Sequence, residues 1–166
     1  MKIYLKRSNI LHERVDALVN PTNSTGAMAS GISAAIKNAG SATIEKDSRA
    51  QAPIAVGAAV LTLGYQLPAA HVIHVATTTK VVEPATAQNV ELALAAALRL
   101  ADERNFSSLA VPYLGNNIGP VQKEEIARAM LSALHAYQGQ AIQEVFLIAH
   151  DVATEAMFRK LMQSSV

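Results

Sequence analysis

Residues 15–40, VDALVNPTNSTGAMASGISAAIKNAG, run from an apolar strand through a polar loop into a helix rich in small residues. A strand that leads into such a loop leaves free backbone N–H groups where the next helix begins. Helix N-termini carry partial positive charge, so they bind anions. The pair Ser30-Gly31 has no bulky side chain to keep a diphosphate away from these groups. We therefore interpret residues 20–33 as a ligand loop.

Small residues in a strand-to-helix turn have an alternative explanation, because they also serve packing and capping, with Ser30 as the N-cap. A second stretch, residues 107–128 (SSLAVPYLGNNIGPVQKEEIAR), favours the ligand interpretation because it repeats the plan of strand, Gly/Asn loop and helix. Open α/β sheets bind ligands at the carboxyl ends of their strands. We expect the two loops to form the walls of one cleft, provided that no side chain such as Met28 fills it.

Composition and charge bound the class of protein. The chain has 166 residues, enough for one compact domain, and we expect residues 1–166 to form a single domain. Its net charge is only +1, so we expect no extended nucleic-acid surface and no membrane surface. Cysteine is absent, which excludes disulfides, thiolate zinc sites and a cysteine nucleophile.

The apolar stretches are too short to cross a membrane. Residues 1–5 are followed at once by Lys6-Arg7, so they predict a first strand and not a signal peptide. The longest apolar stretch, residues 54–63, is shorter than the roughly 20 residues that a spanning helix needs. A cytoplasmic location is the expectation.

Strand and helix patterns alternate along the chain. The sequence predicts strands at residues 3–5, 17–19, 58–63, 71–75, 109–111 and 145–149, and helices at 32–38, 42–52, 87–104, 123–137 and 153–162. The strands at 58–63 and 71–75 would form a hairpin-like pair, residues 77–83 would be irregular, and Ser41 would cap the second helix. This order predicts a three-layer α/β/α sandwich with a mixed, mostly parallel sheet.

The five histidines do not suggest a metal site. His71 and His74 are three positions apart on a predicted strand, so their side chains face opposite ways. His12, His135 and His150 fall on unrelated elements. We therefore expect no metal and no cofactor, and we interpret His74 as a structural histidine whose ring nitrogens are hydrogen-bonded.

The motifs resemble those of the macro domain family. In that family a strand running into Val-Asn-Ala-Ala-Asn precedes a Gly-rich loop and a small-residue helix, and a later Pro-x-x-x-x-Gly-Ile-x-Gly loop precedes another helix. The matching residues here are 17–23 (ALVNPTN), 31–36 (GISAAI) and 112–119 (PYLGNNIG). The similarity extends to the strand at residues 72–75, the long helix after it and the last strand and helix, so it covers nearly the whole chain.

The resemblance implies binding of ADP-ribose or a related adenine nucleotide diphosphate-ribose derivative, free or carried on an ADP-ribosylated protein. Helix N-termini and backbone amides would hold the diphosphate. Asn23 would point at the proximal ribose, while Asn20 would bracket the loop; the alternative for both is turn chemistry. The implied ligand-binding residues are Asn9, Ile10, Asn20, Asn23, Ser30, Gly31, Ile32, Ser33, Gly115, Asn116, Asn117, Ile118, Gly119 and His150.

Two positions bear on recognition of the base. His150 falls where the family places an aromatic that stacks on adenine, although it could equally be a solvent-facing strand end. The Asp that typically recognises the adenine amino group is replaced by Asn9, which leaves adenine preference open. Glu124 and Glu125, in the predicted first turn of their helix, would complement its dipole and not act as acid or base.

Other departures affect the phosphate loops. Residues 29–31 read Ala-Ser-Gly where many members have three glycines, and Asn117 and Pro120 replace glycines of the second loop. The carboxylate that some de-ADP-ribosylating members carry after the first loop aligns with Ser33. A water-activating base is therefore missing.

These departures keep two alternatives open. The first is an enzyme that hydrolyses ADP-ribosyl esters, O-acetyl-ADP-ribose or ADP-ribose 1''-phosphate, with Asn23 as the catalytic residue that positions a water and the ligand's own phosphate as the base. Such an enzyme should be slow, because a positioned acid or base contributes about 10²–10⁴-fold. The second is a degenerate domain that serves as an interaction or oligomerisation module.

Overall fold

A computed structural model of the chain describes residues 1–80, 83–115 and 120–164. In these residues the strands are β1 (Lys2–Arg7), β2 (Ala17–Asn23), β3 (Ala59–Leu63), β4 (His71–Thr78), β5 (Ser108–Pro112) and β6 (Glu144–Ala149). The helices are α1 (Gly31–Gly40), α2 (Ala42–Ala50), α3 (Ala87–Glu103), α4 (Pro120–Ala136) and α5 (Val152–Ser164), with a short 3-10 helix at Ile10–His12. None of the helices in the described part of the chain is long and apolar enough to cross a bilayer.

The strands form one sheet in the order β1-β6-β5-β2-β4-β3. All neighbours are parallel except β3, which pairs antiparallel with β4. The predicted mixed, mostly parallel sheet and the predicted hairpin-like pair are therefore confirmed. The carboxyl ends of five parallel strands lie at one edge of the sheet.

Alternation along the strands divides the core into two layers. Strand residues such as Val19, Ile73 and Val111 pack with α3, α4 and α5 on one face. Their chain neighbours Leu18 and Val72 pack with α1 and α2 on the other face. The predicted three-layer sandwich is confirmed, because each face of the sheet is covered by helices.

Strand β2 is longer than the prediction of residues 17–19. Residues 20–23 look like turn formers, but they pair in register with β4 as far as Thr22, and the register shifts between Thr22 and Asn23. Strand β2 pairs with β5 only at Ala17 and Leu18, so beyond Leu18 its β5 side is unpaired. Pro21 is tolerated in this part of β2 because the strand forms no backbone hydrogen bond to β5 there. Because β2 stops pairing with β5 at Leu18, there is space between the carboxyl ends of these two strands.

Two further boundaries differ from the prediction. Strand β4 runs to Thr78, so Thr77 and Thr78 are not irregular. Helix α4 begins at Pro120, a residue favoured in the first turn of helices, so Glu124 and Glu125 do not lie in the first turn. The prediction that these two residues complement the dipole there is wrong; Glu124 instead lies 2.8 Å from Arg128 and 3.9 Å from Lys160. The predicted cap of α2 is confirmed, because Ser41 Oγ accepts a 3.0 Å bond from Thr43 N–H.

Candidate functional site

A cleft of about 1430 Å³ lies at the carboxyl edge of the sheet. It is lined by the ends of all five parallel strands or the residues that follow them, together with the loop before α1. The described lining residues include no Asp, Glu, Lys or Arg. The cleft therefore offers mainly backbone groups, hydroxyls and amides, which suits a ligand bound by hydrogen bonds to uncharged groups.

The first turn of α1 opens into this cleft. Ser30 is the N-cap, with extended backbone angles, but its hydroxyl makes no capping hydrogen bond. No acceptor in the described residues takes a hydrogen bond from the N–H groups of Ile32 or Ser33. Capping alone therefore does not explain Ser30. The free donors form a ready anion site, because the helix dipole adds partial positive charge there.

Gly31 owes its identity to backbone conformation. Its φ is +58°, in the left-handed region, and a Cβ at this position would meet nothing within 4 Å. The space in front of Gly31 is therefore open, and a side chain added here would extend into solvent or into the cleft.

Asn23 lines the cleft and is 6% exposed. Its Oδ1 accepts hydrogen bonds from the backbone N–H and hydroxyl of Thr25. The turn chemistry predicted for Asn23 is thus present, but it uses only the oxygen. The Nδ2 group has no acceptor among the described residues, so it remains available to donate to a ligand hydroxyl or a water.

Asn20 lies below the cleft and does not line it. It is fully buried, with Nδ2 at 3.0 Å from His74 Nδ1 and Oδ1 accepting a 2.9 Å bond from the Ser33 hydroxyl. This geometry agrees with a bracket role for Asn20. Asn20 belongs to the implied ligand-binding set, but it does not border the cleft.

His74 is also fully buried, and its Nε2 lies 2.9 Å from Thr62 Oγ1. Burial lowers the pKa of the His74 ring to about 4, so the ring is neutral at physiological pH. His71 faces the other way, with its ring against Phe106 and its Nδ1 near Asp16 O. Both ring nitrogens of His74 have partners, as expected of a structural histidine.

Asn9 and His150 both follow the paired ends of β1 and β6, where Arg7 is opposite Ala149. Asn9 Oδ1 accepts a 3.0 Å bond from Leu11 N–H and so caps the 3-10 helix that begins at Ile10. The His150 side chain is 74% exposed, and its Nε2 lies 2.8 Å from Asp151 Oδ2. Asn9, Ile10 and His150 all line the cleft.

The second loop is described only in part. Gly115 lines the cleft, whereas Asn116, Asn117, Ile118 and Gly119 lie outside the described residues. The described parts of both loops line the same cavity, and Met28 does not fill it, because Met28 is buried in the core between the sheet and α1.

Several lining residues were not anticipated, chiefly Tyr113, Gln122, Thr77 and Thr78. The Tyr113 ring packs edge-on against Phe158, and burial raises the pKa of its hydroxyl to about 12. A Cβ at Gly115 would clash with the Tyr113 ring, so any larger residue here would require that ring to shift. An aromatic directly after an apolar strand resembles a core residue, so the sequence carried no signal for this role.

Ser33 shows why the cleft lacks a base at this position. Its hydroxyl lies 2.9 Å from Asn20 Oδ1 and 3.0 Å from Pro21 O, so its single proton is used within the fold. An ionised carboxylate at position 33 would face the same two acceptor oxygens with no proton to donate to them.

The architecture and cleft define an α/β/α domain with an anion-competent helix terminus at the carboxyl edge of its sheet. The model of the Macro domain family matches residues 19–130, and the chain belongs to this family. An uncharacterised protein of Aquifex aeolicus is 35% identical over 98% of both chains. The ADP-ribose glycohydrolase MACROD1 of Rattus norvegicus is 31% identical over 84% of this chain.

The fold has close structural neighbours. A crystal structure of the Trypanosoma brucei macrodomain in complex with ADP-ribose superposes with a TM-score of 0.81, at 22% identity, over 96% of this chain and 68% of that one. The chain spans only about half the length of some curated relatives: 55% of the rat protein and 46% of a Mycobacterium bovis protein. These relatives carry further sequence beyond the aligned region.

Proposed function

We propose that this protein binds ADP-ribose, or a closely related nucleotide diphosphate-ribose, in the cleft at the carboxyl edge of its sheet. The observation that carries this proposal is the open first turn of α1, whose Ile32 and Ser33 N–H groups have no acceptor in the described residues. A diphosphate fits this turn because backbone donors and the helix dipole both favour an anion. Membership of the macro domain family supports the choice of ligand.

The remaining contacts follow the length of the cleft. Asn23 Nδ2 would donate to the proximal ribose, and Asn9, Ile10 and His150 would surround the base. Gly115 and the residues after it would supply donors to the phosphates from the opposite wall. In this proposal residues 1–166 act as one domain in the cytoplasm, free of metal and cofactor, with ADP-ribosylated proteins as additional ligands.

Titration calorimetry tests the proposal directly. The purified protein is titrated with ADP-ribose, ADP and AMP, and we expect affinity to fall in that order as ribose and phosphate contacts are removed. Absence of heat with all three would reject nucleotide binding and favour the interaction-module alternative. Asn23→Ala serves as a site variant, since it removes the free amide donor; Asn38→Ala, an exposed change on α1, is the matched control.

A second candidate function is slow hydrolysis of an ADP-ribosyl ester. The likeness to the rat ADP-ribose glycohydrolase favours it. Since the described lining residues include no carboxylate, Asn23 would position the water and the ligand's phosphate would accept its proton. Turnover of an ester-linked ADP-ribosylated peptide by wild type and Asn23→Ala tests this candidate; equal rates would exclude Asn23 from any catalytic role.

A further inference from the structure

A buried chain of hydrogen bonds runs beneath the cleft. It begins at Thr62 on β3, passes through His74 on β4 and Asn20 on β2, and ends at Ser33 in the first turn of α1. The successive distances are 2.9 Å, 3.0 Å and 2.9 Å, and all four residues are buried. We call these four residues the polar relay.

The orientation of the Asn20 amide sets the tautomer of the His74 ring. The Nδ2 group of Asn20 can only donate, so His74 Nδ1 must accept and the ring must be neutral. The proton of the ring then lies on Nε2, which donates to Thr62 Oγ1. At the other end, Asn20 Oδ1 accepts from the Ser33 hydroxyl. Each member therefore orients the next.

We propose that Thr62 and His74 are positioning residues for the diphosphate-binding turn, acting through Asn20 and Ser33. Thr62 and His74 do not line the cleft, so they cannot touch the ligand. Ser33 is the third residue of α1, and its tether holds the open N–H groups of the first turn against the end of β2. The inference rests on the proposed function, because it assigns the relay to the same anion site.

Buried polar chains of this kind are costly unless every member is paired. An apolar core at these positions would pack the sheet against α1 and α2 without that requirement. The relay is therefore better explained by the orientation it imposes on α1 than by stability alone.

Substitutions at Thr62 test the inference, because Thr62 does not line the cleft and can affect the ligand only through the relay. Thr62→Val keeps the shape of the side chain but removes the acceptor for His74 Nε2, whereas Thr62→Ser keeps the hydroxyl. We expect Thr62→Val to weaken ADP-ribose binding about threefold to tenfold, since one hydrogen bond is lost from the relay. Thr62→Ser should bind like wild type. Ile73→Val, a buried change on the opposite face of β4, is the control for general destabilisation.

A second measurement does not depend on ligand. In ¹⁵N-labelled protein without ADP-ribose, the amide signals of Ile32 and Ser33 should shift in Thr62→Val and stay in place in Ile73→Val. If Thr62→Val folds poorly, the pair His74→Gln and His74→Leu replaces it. Glutamine can accept from Asn20 and donate to Thr62, so His74→Gln should retain the wild-type amide signals of Ile32 and Ser33. Leucine can do neither, so His74→Leu should not retain them.

The outcomes separate the two proposals. If wild type fails to bind ADP-ribose, the proposed function is rejected, while the amide signals still report on the relay. If wild type binds ADP-ribose and Thr62→Val binds it equally tightly, the relay does not act as a positioning device. Equal losses in Thr62→Val and Ile73→Val overturn it as well, because the effect would then follow stability and not orientation.

Discussion

The backbone N–H of Met28 donates a 2.7 Å hydrogen bond to Oε2 of Glu45, which ties the loop before α1 to helix α2. The same carboxylate oxygen lies 3.2 Å from Lys37 Nζ. Burial alone would raise the pKa of Glu45, but the bond from Met28 and the ammonium of Lys37 outweigh it and hold the pKa below its ordinary value. One charged side chain on α2 therefore holds the loop that leads to the anion site.

We predict that Glu45→Gln loosens this loop. Replacing a charge-assisted bond by a neutral one should lower the free energy of unfolding by about 1 kcal/mol, and it should weaken ADP-ribose binding as well. Urea denaturation and calorimetry measure the two effects. Glu124→Gln is the control, because the ion pairs of Glu124 with Arg128 and Lys160 lie on the surface, and this variant should change neither quantity measurably.

The contribution of Glu45 should also depend on pH. Because its pKa is lower in the folded protein than in the unfolded chain, its stabilisation is present above the ordinary pKa of a glutamate and is lost as pH falls through the folded value. A denaturation series below pH 5 should therefore show a smaller difference between wild type and Glu45→Gln than at pH 7.5. A constant difference would contradict the charged character of the Met28 bond.

The lowered pKa of His74 predicts a second effect of pH on stability, at higher pH than the effect of Glu45. Burial lowers the pKa of the folded ring to about 4, whereas a histidine in the unfolded chain titrates near 6.5. The unfolded state therefore takes up a proton first, so stability falls as pH falls from 6.5 to 4. The loss from this group between pH 7.5 and pH 5 is on the order of 2 kcal/mol.

Urea denaturation of wild type and His74→Gln at pH 7.5 and pH 5 measures this effect. The neighbours that face the ring in the relay, Asn20 and Thr62, carry no charge, so they do not titrate in this range. His74→Gln should be less dependent on pH than wild type by about the same 2 kcal/mol. Identical pH dependence in the two proteins would show that the ring does not titrate in this way.

The sequence was sufficient for the order of elements and for the layers, because those depend on periodicity. Val90, Leu94 and Leu98 recur at helical spacing, and all three are buried on α3. The turn propensity of residues 20–23 led to the wrong prediction that β2 ends at residue 19. Pairing with β4 keeps these turn-forming residues in strand β2. The start of α4 was misplaced because Pro120 was interpreted as part of the loop.

The site was less predictable than the fold. The first loop could be placed at the edge of the cleft because its small residues directly precede a helix. The polar relay could not, because Asn20 and His74 are 54 positions apart and only the register of β2 with β4 brings them together. Tyr113 resembled a core residue, and only the folded chain shows that it borders the cleft.

Gly31 offers a test of the phosphate site. With φ at +58°, any other residue is strained, so Gly31→Ala should cost about 1 kcal/mol of stability on its own. Gly31→Glu carries the same strain and adds bulk and negative charge beside the diphosphate. We expect Gly31→Glu to abolish ADP-ribose binding while Gly31→Ala retains most of it, both measured by calorimetry. Equal affinity in the two variants would place the phosphates elsewhere.

We predict that Asn9, which lines the cleft, influences which base the cleft prefers. Asn9 Oδ1 already accepts from Leu11 N–H and offers a ligand only its second, uncharged lone pair, while the Nδ2 donor opposes the donor amino group of adenine. Asn9→Asp keeps one oxygen for Leu11 and adds a second, charged acceptor. We expect this variant to bind ADP-ribose several-fold more tightly than wild type, since a charge-assisted bond is stronger than a neutral one. Its preference for inosine diphosphate ribose, whose base has a carbonyl oxygen in place of the amino group, should fall. Competition between the two ligands measures the ratio, and an unchanged ratio would show that the base does not lie at Asn9.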